Sequence, residues 1–171
     1  MLGLTACAMA HAAGAASVIA VDKNRTRLAL ANQFGATLTL GGEAPVREAV
    51  MAVTDGRGVD TVLEFAGVPE AIETAVPLLR SGGHLVMAGA VFPSRELALP
   101  AEQIVRRMLR LTGVYNYQPE DLGFALRFLS QTQSRFPFAS LVGKRFPLTD
   151  INAAIAFAER EKPPRVALIP S

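Results

Sequence analysis

The hydrophobic positions of the chain alternate between the period of a helix and that of a strand. Strand 84–90 is almost continuously apolar, as in parallel sheets that are covered on both faces. Helices are predicted near residues 3–13, 24–34, 45–54, 69–80, 100–107, 121–132 and 151–160, with strands near 17–21, 37–40, 59–67, 84–90, 109–115 and 164–169 and one more within 136–148. This alternation predicts an α/β protein with a doubly wound parallel sheet of the Rossmann type and a C-terminal α/β tail.

The first 22 residues follow the order found after the phosphate loop of a dinucleotide-binding fold. A helix of small apolar residues follows Gly3, a turn is predicted at Gly14, and a β-branched strand ends at Asp22. In such a fold a strand and two further glycines precede the position of Gly3. We therefore expect a sheet that lacks its first, central strand, and hence a split or locally re-paired sheet.

Three residues are candidates for ligand binding because each ends a predicted strand. A carboxylate at Asp22 can accept both ribose hydroxyls of an adenosine and would repel a 2′-phosphate. Gly67 and Gly89 let the backbone approach a flat ligand closely at the same edge of the sheet. The alternatives are that Asp22 only caps the next helix and that the two glycines are ordinary turn residues.

Composition and charge argue against several other classes of protein. The chain has 17 Lys and Arg against 15 Asp and Glu, without a basic run, which argues against a nucleic-acid partner. No segment approaches the roughly twenty apolar residues of a membrane span. The single Cys7 cannot form an internal disulfide and suits the cytoplasm. Cys7 and His11 are spaced for one helix face, but two residues do not make a zinc site, so we expect no metal in this chain.

Beyond these local patterns, the chain resembles the zinc-binding, medium-chain alcohol dehydrogenases, from the coenzyme domain to the C-terminal tail. The motifs that carry the resemblance are LGLTACAMAHAAGA, SVIAVDKNRTRLALANQFGAT, GRGVDTVLEFAG, LRSGGHLVMAGAV and GKRFPLTDINAAIAFAE…PPRVALIP. Within the family, the segments VFP…LPAEQIVRRMLRLTGVYNYQPEDL and FPFASLVGKRFPL are most similar to the phosphonate-catabolism-associated branch. The resemblance implies hydride transfer between an alcohol and NAD.

For the adenosine side of NAD, the resemblance implies roles at the start of the chain and after the strand 59–67. Gly3 would be the third glycine of the phosphate loop, and Asp22 would bind the ribose beside the basic Arg27. The segment along the adenine would consist of Phe65, Ala66 and Gly67.

For the nicotinamide side, the resemblance implies backbone contacts and one distant arginine. Val114 and Asn116 match the segment that binds the carboxamide, and Arg165 matches a tail arginine that reaches the pyrophosphate. The backbone beside the nicotinamide would be formed by Ala88, Ala90 and the glycine between them, Gly89.

The family's zinc ligands and proton-relay groups belong to an N-terminal domain that has no counterpart in these residues. The resemblance thus implies an incomplete dinucleotide-binding domain at 1–113 and a segment at 114–171 that packs against the catalytic domain. We expect a fragment or mis-started gene product that is inactive alone, with zinc and an alcohol or aldehyde substrate bound only by a complete protein. The family also dimerises through the last sheet strand, so a homodimer is expected. The alternative is a Rossmann-like module that binds a nucleotide or methyl donor without redox chemistry.

Overall fold

The computed structural model describes residues 1–170 and contains three separate parallel sheets. The helices are α1 (Leu2–Ala12), α2 (Arg25–Gln33), α3 (Val46–Val53), α4 (Pro69–Leu78), α5 (Ala101–Arg106), α6 (Pro119–Thr132) and α7 (Ile151–Glu161). The strands are β1 (Ile19–Asp22), β2 (Leu38–Gly41), β3 (Val59–Glu64), β4 (Leu79–Met87), β5 (Arg110–Gly113), β6 (Val142–Pro147) and β7 (Arg165–Ile169). Every strand pair is parallel, which confirms the predicted α/β architecture with its C-terminal α/β tail.

The sheet predicted for residues 1–113 is split into two, as expected from the sequence. β1 pairs with β2 in one sheet, and β3, β4 and β5 form another in that order. The carbonyl of Val18 accepts hydrogen bonds from Thr37 and Leu38 at the start of β2, and the carbonyl of Glu64 accepts them from the segment after β4. Because successive residues of a parallel strand bond to opposite sides, the backbone groups of Val21 and Leu63 face the open edges. Their side chains are 50% and 45% exposed, which is unusual for central strands of this class.

Local sequence signals explain most of the helix boundaries. The side chain of Asn24 accepts a hydrogen bond from the Arg27 amide at 3.0 Å and so caps α2. Gly35 has a φ of 88°, the left-handed conformation that ends a helix. In α6, Gln118 and Asp121 form a reciprocal capping box.

Several predicted boundaries differ from the structure, and two of the differences have a clear local cause. β4 begins at Leu79 rather than near residue 84, because Pro77 cannot donate a helical hydrogen bond and α4 ends directly after it. β3 ends at Glu64, three residues before the predicted end, because the chain turns there toward Gly67. The earlier end of β3 places Phe65, Ala66 and Gly67 in the turn that follows the strand.

The two sheets of this region have separate hydrophobic cores. The first core joins α1 and α2 to β1 and, from the C-terminal part of the chain, to Phe136 and Leu141. The second core lies between α4 and the three-stranded sheet and contains Ile72, Ala75, Val76, Leu79, Leu85 and Leu109. Burial of these apolar side chains, rather than pairing between the sheets, stabilises each half.

Candidate functional site

Asp22 lies at the carboxyl end of β1 and is bound by a bidentate arginine. Arg27 donates from Nε to Oδ2 and from Nη2 to Oδ1, both at 2.8 Å. Oδ1 also accepts a hydrogen bond from the Asn24 amide at 2.8 Å. Asp22 therefore also fixes the turn into α2, as expected from the alternative that it caps this helix. Its side chain is still 31% exposed, which leaves room for a ligand hydroxyl.

These contacts decide the charge of Asp22. Partial burial by itself would raise its pKa, but the hydrogen bonds from Arg27 and from the Asn24 amide outweigh burial and lower the pKa below its usual value. Asp22 is thus an ionised acceptor at neutral pH. The guanidinium beside it compensates part of that negative charge.

Two other predicted residues, Arg165 and Phe65, lie around the start of α1. Arg165, at the beginning of β7, donates from Nε to the sulfur of Met1 at 2.9 Å. A Cβ atom built on Gly3 would lie 4.0 Å from Cδ2 of Phe65, so the ring after β3 lies against this helix start. The first turn of α1 is therefore bordered by residues from β7 and from the end of β3. Its backbone amides and the arginine form an environment that suits an anion.

The predicted glycines Gly67 and Gly89 touch each other at the same edge of the sheet. Gly67 has a φ of 71°, and a Cβ atom added there would lie 2.3 Å from the carbonyl oxygen of Gly89. A Cβ atom added to Gly89 would lie 2.5 Å from the nitrogen of Gly67. No side chain fits at either position, so both residues are required for this close approach of two turns.

Beyond this contact, the ends of β4 and β5 border an open hollow of about 400 Å³. Val114 donates its N–H to the carbonyl of Met87 at 2.9 Å and so continues the pairing of the two strands. The hollow is lined by Met87, Ala88, Ala90, Val91, Gly113, Val114 and Tyr115. Its lining is mostly apolar with exposed backbone groups, which suits a flat ring.

The structure thus places most of the predicted residues in two groups. One surrounds the start of α1, and the other lies at the carboxyl ends of β3, β4 and β5. Asn116 is different: it lies beyond the hollow lining in a left-handed turn with a φ of 57°. Sequence reasoning missed Tyr115 and the buried Glu64. The signal for Glu64 was available, since it is the last charged residue before the glycine of the segment VDTVLEFAG.

The described residues 1–170 contain neither a cluster of metal ligands nor a helix that could span a membrane. Within that range, no three His, Cys, Asp or Glu side chains come together as a metal site would require. Cys7 is buried in α1, where burial raises its pKa and keeps it protonated. None of the described helices combines the length and apolar character needed to cross a bilayer.

The sequence of the chain is similar to that of known dehydrogenases. A sequence profile of zinc-binding dehydrogenases matches residues 2–131. The L-threonine 3-dehydrogenase of Bacillus subtilis is 32% identical over 174 residues, which cover 99% of this chain and 48% of that enzyme. The chain spans about half the length of the curated relatives it matches.

Solved structures show the same similarity in three dimensions. An alcohol dehydrogenase from Thermotoga maritima superposes with a TM-score of 0.92 and 30% identity, over 99% of this chain and 47% of that one. A zinc-binding dehydrogenase from Sinorhizobium meliloti, solved with NADP bound, gives a TM-score of 0.77 and 25% identity over 91% and 45% of the two chains. The separated sheets therefore occupy positions found in complete dehydrogenases.

The contact between the two glycines generates a testable prediction. Gly67→Ala should lower the free energy of unfolding by about 2 kcal/mol or more, because the left-handed backbone and the clash with the Gly89 carbonyl act together. The matched control is Gly56→Ala, since Gly56 has a similar φ of 76° but nothing within 4 Å of an added Cβ. Urea unfolding followed by circular dichroism measures both. Equal destabilisation by the two substitutions would contradict the role of the close approach.

Proposed function

The chain belongs to the zinc-binding dehydrogenase family, and on this premise we propose that it is the NAD-binding part of an alcohol dehydrogenase. The observation that carries the proposal is that Asp22 lies at the carboxyl end of β1, while Gly67 and Gly89 touch in the turns that follow the carboxyl ends of β3 and β4; open α/β sheets bind their ligands at such strand ends. In a complete enzyme NAD would accept a hydride from the alcohol.

The adenosine half of NAD would bind around Asp22. The ionised carboxylate would accept the ribose hydroxyls, while Arg27 fixes its orientation through two hydrogen bonds. The pyrophosphate would lie at the first turn of α1 beside Arg165, since both supply positive potential. Phe65, Ala66 and Gly67 would form the wall along the adenine.

The nicotinamide half would lie in the hollow at the ends of β4 and β5. Ala88, Gly89 and Ala90 would present their backbone to the ring, and Val114 and Asn116 would hydrogen-bond its carboxamide. The apolar lining keeps water from one side of the ring. That arrangement orients the ring and leaves hydride chemistry to the cofactor.

Zinc does not fit the residues in hand. The described residues 1–170 provide no cluster of ligands, and Cys7 is buried in the core of α1. No catalytic step can be assigned to a zinc ion on them. We therefore propose that this chain alone transfers no hydride and that zinc and substrate binding belong to other residues of a complete protein.

The C-terminal segment, residues 114–171, is proposed to pack against the catalytic domain. α7 and β7 share an apolar hollow of about 190 Å³, and Ile151 and Ile155 are 42% and 51% exposed beside it. Such apolar exposure fits a domain interface. Membership of the phosphonate-catabolism-associated branch stays a prediction that rests on the segments VFP…PEDL and FPFASLVGKRFPL.

Cofactor choice tests the adenosine site. We predict that the chain binds NAD about tenfold or more tightly than NADP, because a 2′-phosphate would meet the carboxylate of Asp22 at close range. Arg27 compensates part of this negative charge, which limits the preference for NAD over NADP. Asp22→Ala should remove the preference by weakening NAD and relieving the repulsion of NADP. Isothermal titration calorimetry with both dinucleotides measures the change.

The matched control is Asp60→Ala. Asp60 also pairs with arginines, Arg57 and Arg80, but lies near the start of β3, away from the carboxyl edge. That variant should keep the preference of the wild type. A native preference for NADP, or tighter binding of S-adenosylmethionine than of NAD, would refute the assignment; the second result would favour a methyl-donor-binding module.

A homodimer through β5 is proposed from the free edge of the three-stranded sheet. Within residues 1–170, β4 is the only strand that pairs with β5. Val114 bonds to β4, so by alternation Gly113 presents its N–H to the free edge. An open edge of this kind can pair with a second copy.

The dimer is tested by light scattering of Gly113→Pro and Gly113→Ala. Proline removes the edge N–H, whereas alanine keeps it, and a Cβ at this position meets nothing within 4 Å. We predict a dimer for the wild type and for Gly113→Ala, and a monomer for Gly113→Pro. A monomeric wild type, or a proline variant that remains dimeric, would contradict pairing at this edge.

A further inference from the structure

Glu64 is the only charged side chain that is buried within the described residues 1–170. It is the last residue of β3 and is 4% exposed. A carboxylate that is buried there loses its bound water, which costs free energy. A hydrophobic side chain at the same position carries no such cost. Burial of an acid at the edge where the cofactor site lies therefore needs an explanation other than packing.

The hydrogen bonds of Glu64 reach both turns of the site. Its Oε1 accepts the N–H of Gly67 at 2.6 Å. Its backbone carbonyl accepts the N–H of Ala88 at 3.0 Å and that of Gly89 at 3.1 Å. One residue thus binds the turn after β3 with its side chain and the turn after β4 with its backbone.

We propose that Glu64 is the positioning residue of the cofactor site, an inference that rests on the proposed function. The contact between Gly67 and Gly89 leaves no space for a side chain, so a small displacement of either turn would change the walls beside the cofactor. The hydrogen bond from the Gly67 amide to Oε1 fixes the position of the turn after β3 relative to Glu64. Glu64 acts through the two glycines and does not itself need to touch NAD.

The second carboxylate oxygen supports this assignment over a purely stabilising one. Oε2 is buried and receives no hydrogen bond from any described residue. An unsatisfied buried oxygen opposes folding, so an acid is a poor choice here for stability alone. Only Oε1 is needed to position Gly67.

If Glu64 positions Gly67 through one acceptor oxygen, glutamine should be able to replace it, and shorter side chains should not. In Glu64→Gln the side-chain oxygen can still accept the Gly67 N–H, with the NH₂ group in the place of Oε2. Glu64→Asp keeps the charge but is one methylene too short, and Glu64→Ala has no acceptor. The matched control is Glu70→Gln, since Glu70 lies on the following helix, is exposed, and pairs with Arg95 instead.

Two measurements on the purified chain test the proposal. Amide exchange by NMR should be about tenfold or more faster at Gly67 in Glu64→Ala and Glu64→Asp, as expected for loss of the one hydrogen bond that the side chain accepts. The dissociation constant of NAD, measured by calorimetry where each variant is folded, should rise by a similar factor. Glu64→Gln should restore both quantities to within about threefold of the wild type, and Glu70→Gln should leave them unchanged.

The outcomes separate this proposal from the proposed function. Slow exchange at Gly67 in Glu64→Asp, a Glu64→Gln variant as defective as Glu64→Asp, or unchanged NAD affinity despite fast exchange would each overturn it. If Glu64→Ala does not fold, the Asp and Gln variants still decide. If the wild type does not bind NAD, the proposed function fails, whereas the exchange measurement still shows whether Glu64 sets the two turns.

Discussion

The parallel direction of the strands is the constraint on which the site depends. Because β1, β3, β4 and β5 all run in one direction within their sheets, their last residues and the turns that follow can meet at one edge. Asp22 ends β1, and Gly67 and Gly89 follow β3 and β4. This arrangement survives the separation of β1–β2 from β3–β4–β5, since each half has its own core.

Two carboxylates at this edge have opposite surroundings and thus different roles. Asp22 is partly exposed, paired with Arg27 and held ionised by a lowered pKa, which suits direct contact with hydroxyl groups. Glu64 is buried, and its carboxylate accepts the single N–H of Gly67, which suits the positioning of that turn. We infer that the same side-chain chemistry suits ligand contact in one place and backbone geometry in another.

Features that depend on neighbouring residues were predictable from the sequence, and features that depend on distant contacts were not. Asn24 begins α2 as expected because a cap needs only the next few residues. The contact of Gly67 with Gly89 requires two strands in register, and a glycine alone does not reveal its partner. The packing of Phe136 onto α1 and α2 was likewise hidden, since the two segments lie far apart in the chain. The sequence shows Glu64 as the last charged residue before Gly67, but its burial follows from the tertiary context and was not predictable.

The central claim is that the carboxyl edge of the split sheet is a dinucleotide site. Titration of the ¹⁵N-labelled chain with NAD, followed by NMR, tests it most directly. We expect saturable chemical-shift changes at the amides of four residues of this edge, with little change at Asp60 near the opposite edge. The four residues are Asp22, Gly67, Gly89 and Val114. Absence of shifts at saturating NAD, or shifts confined to residues away from this edge, would contradict it.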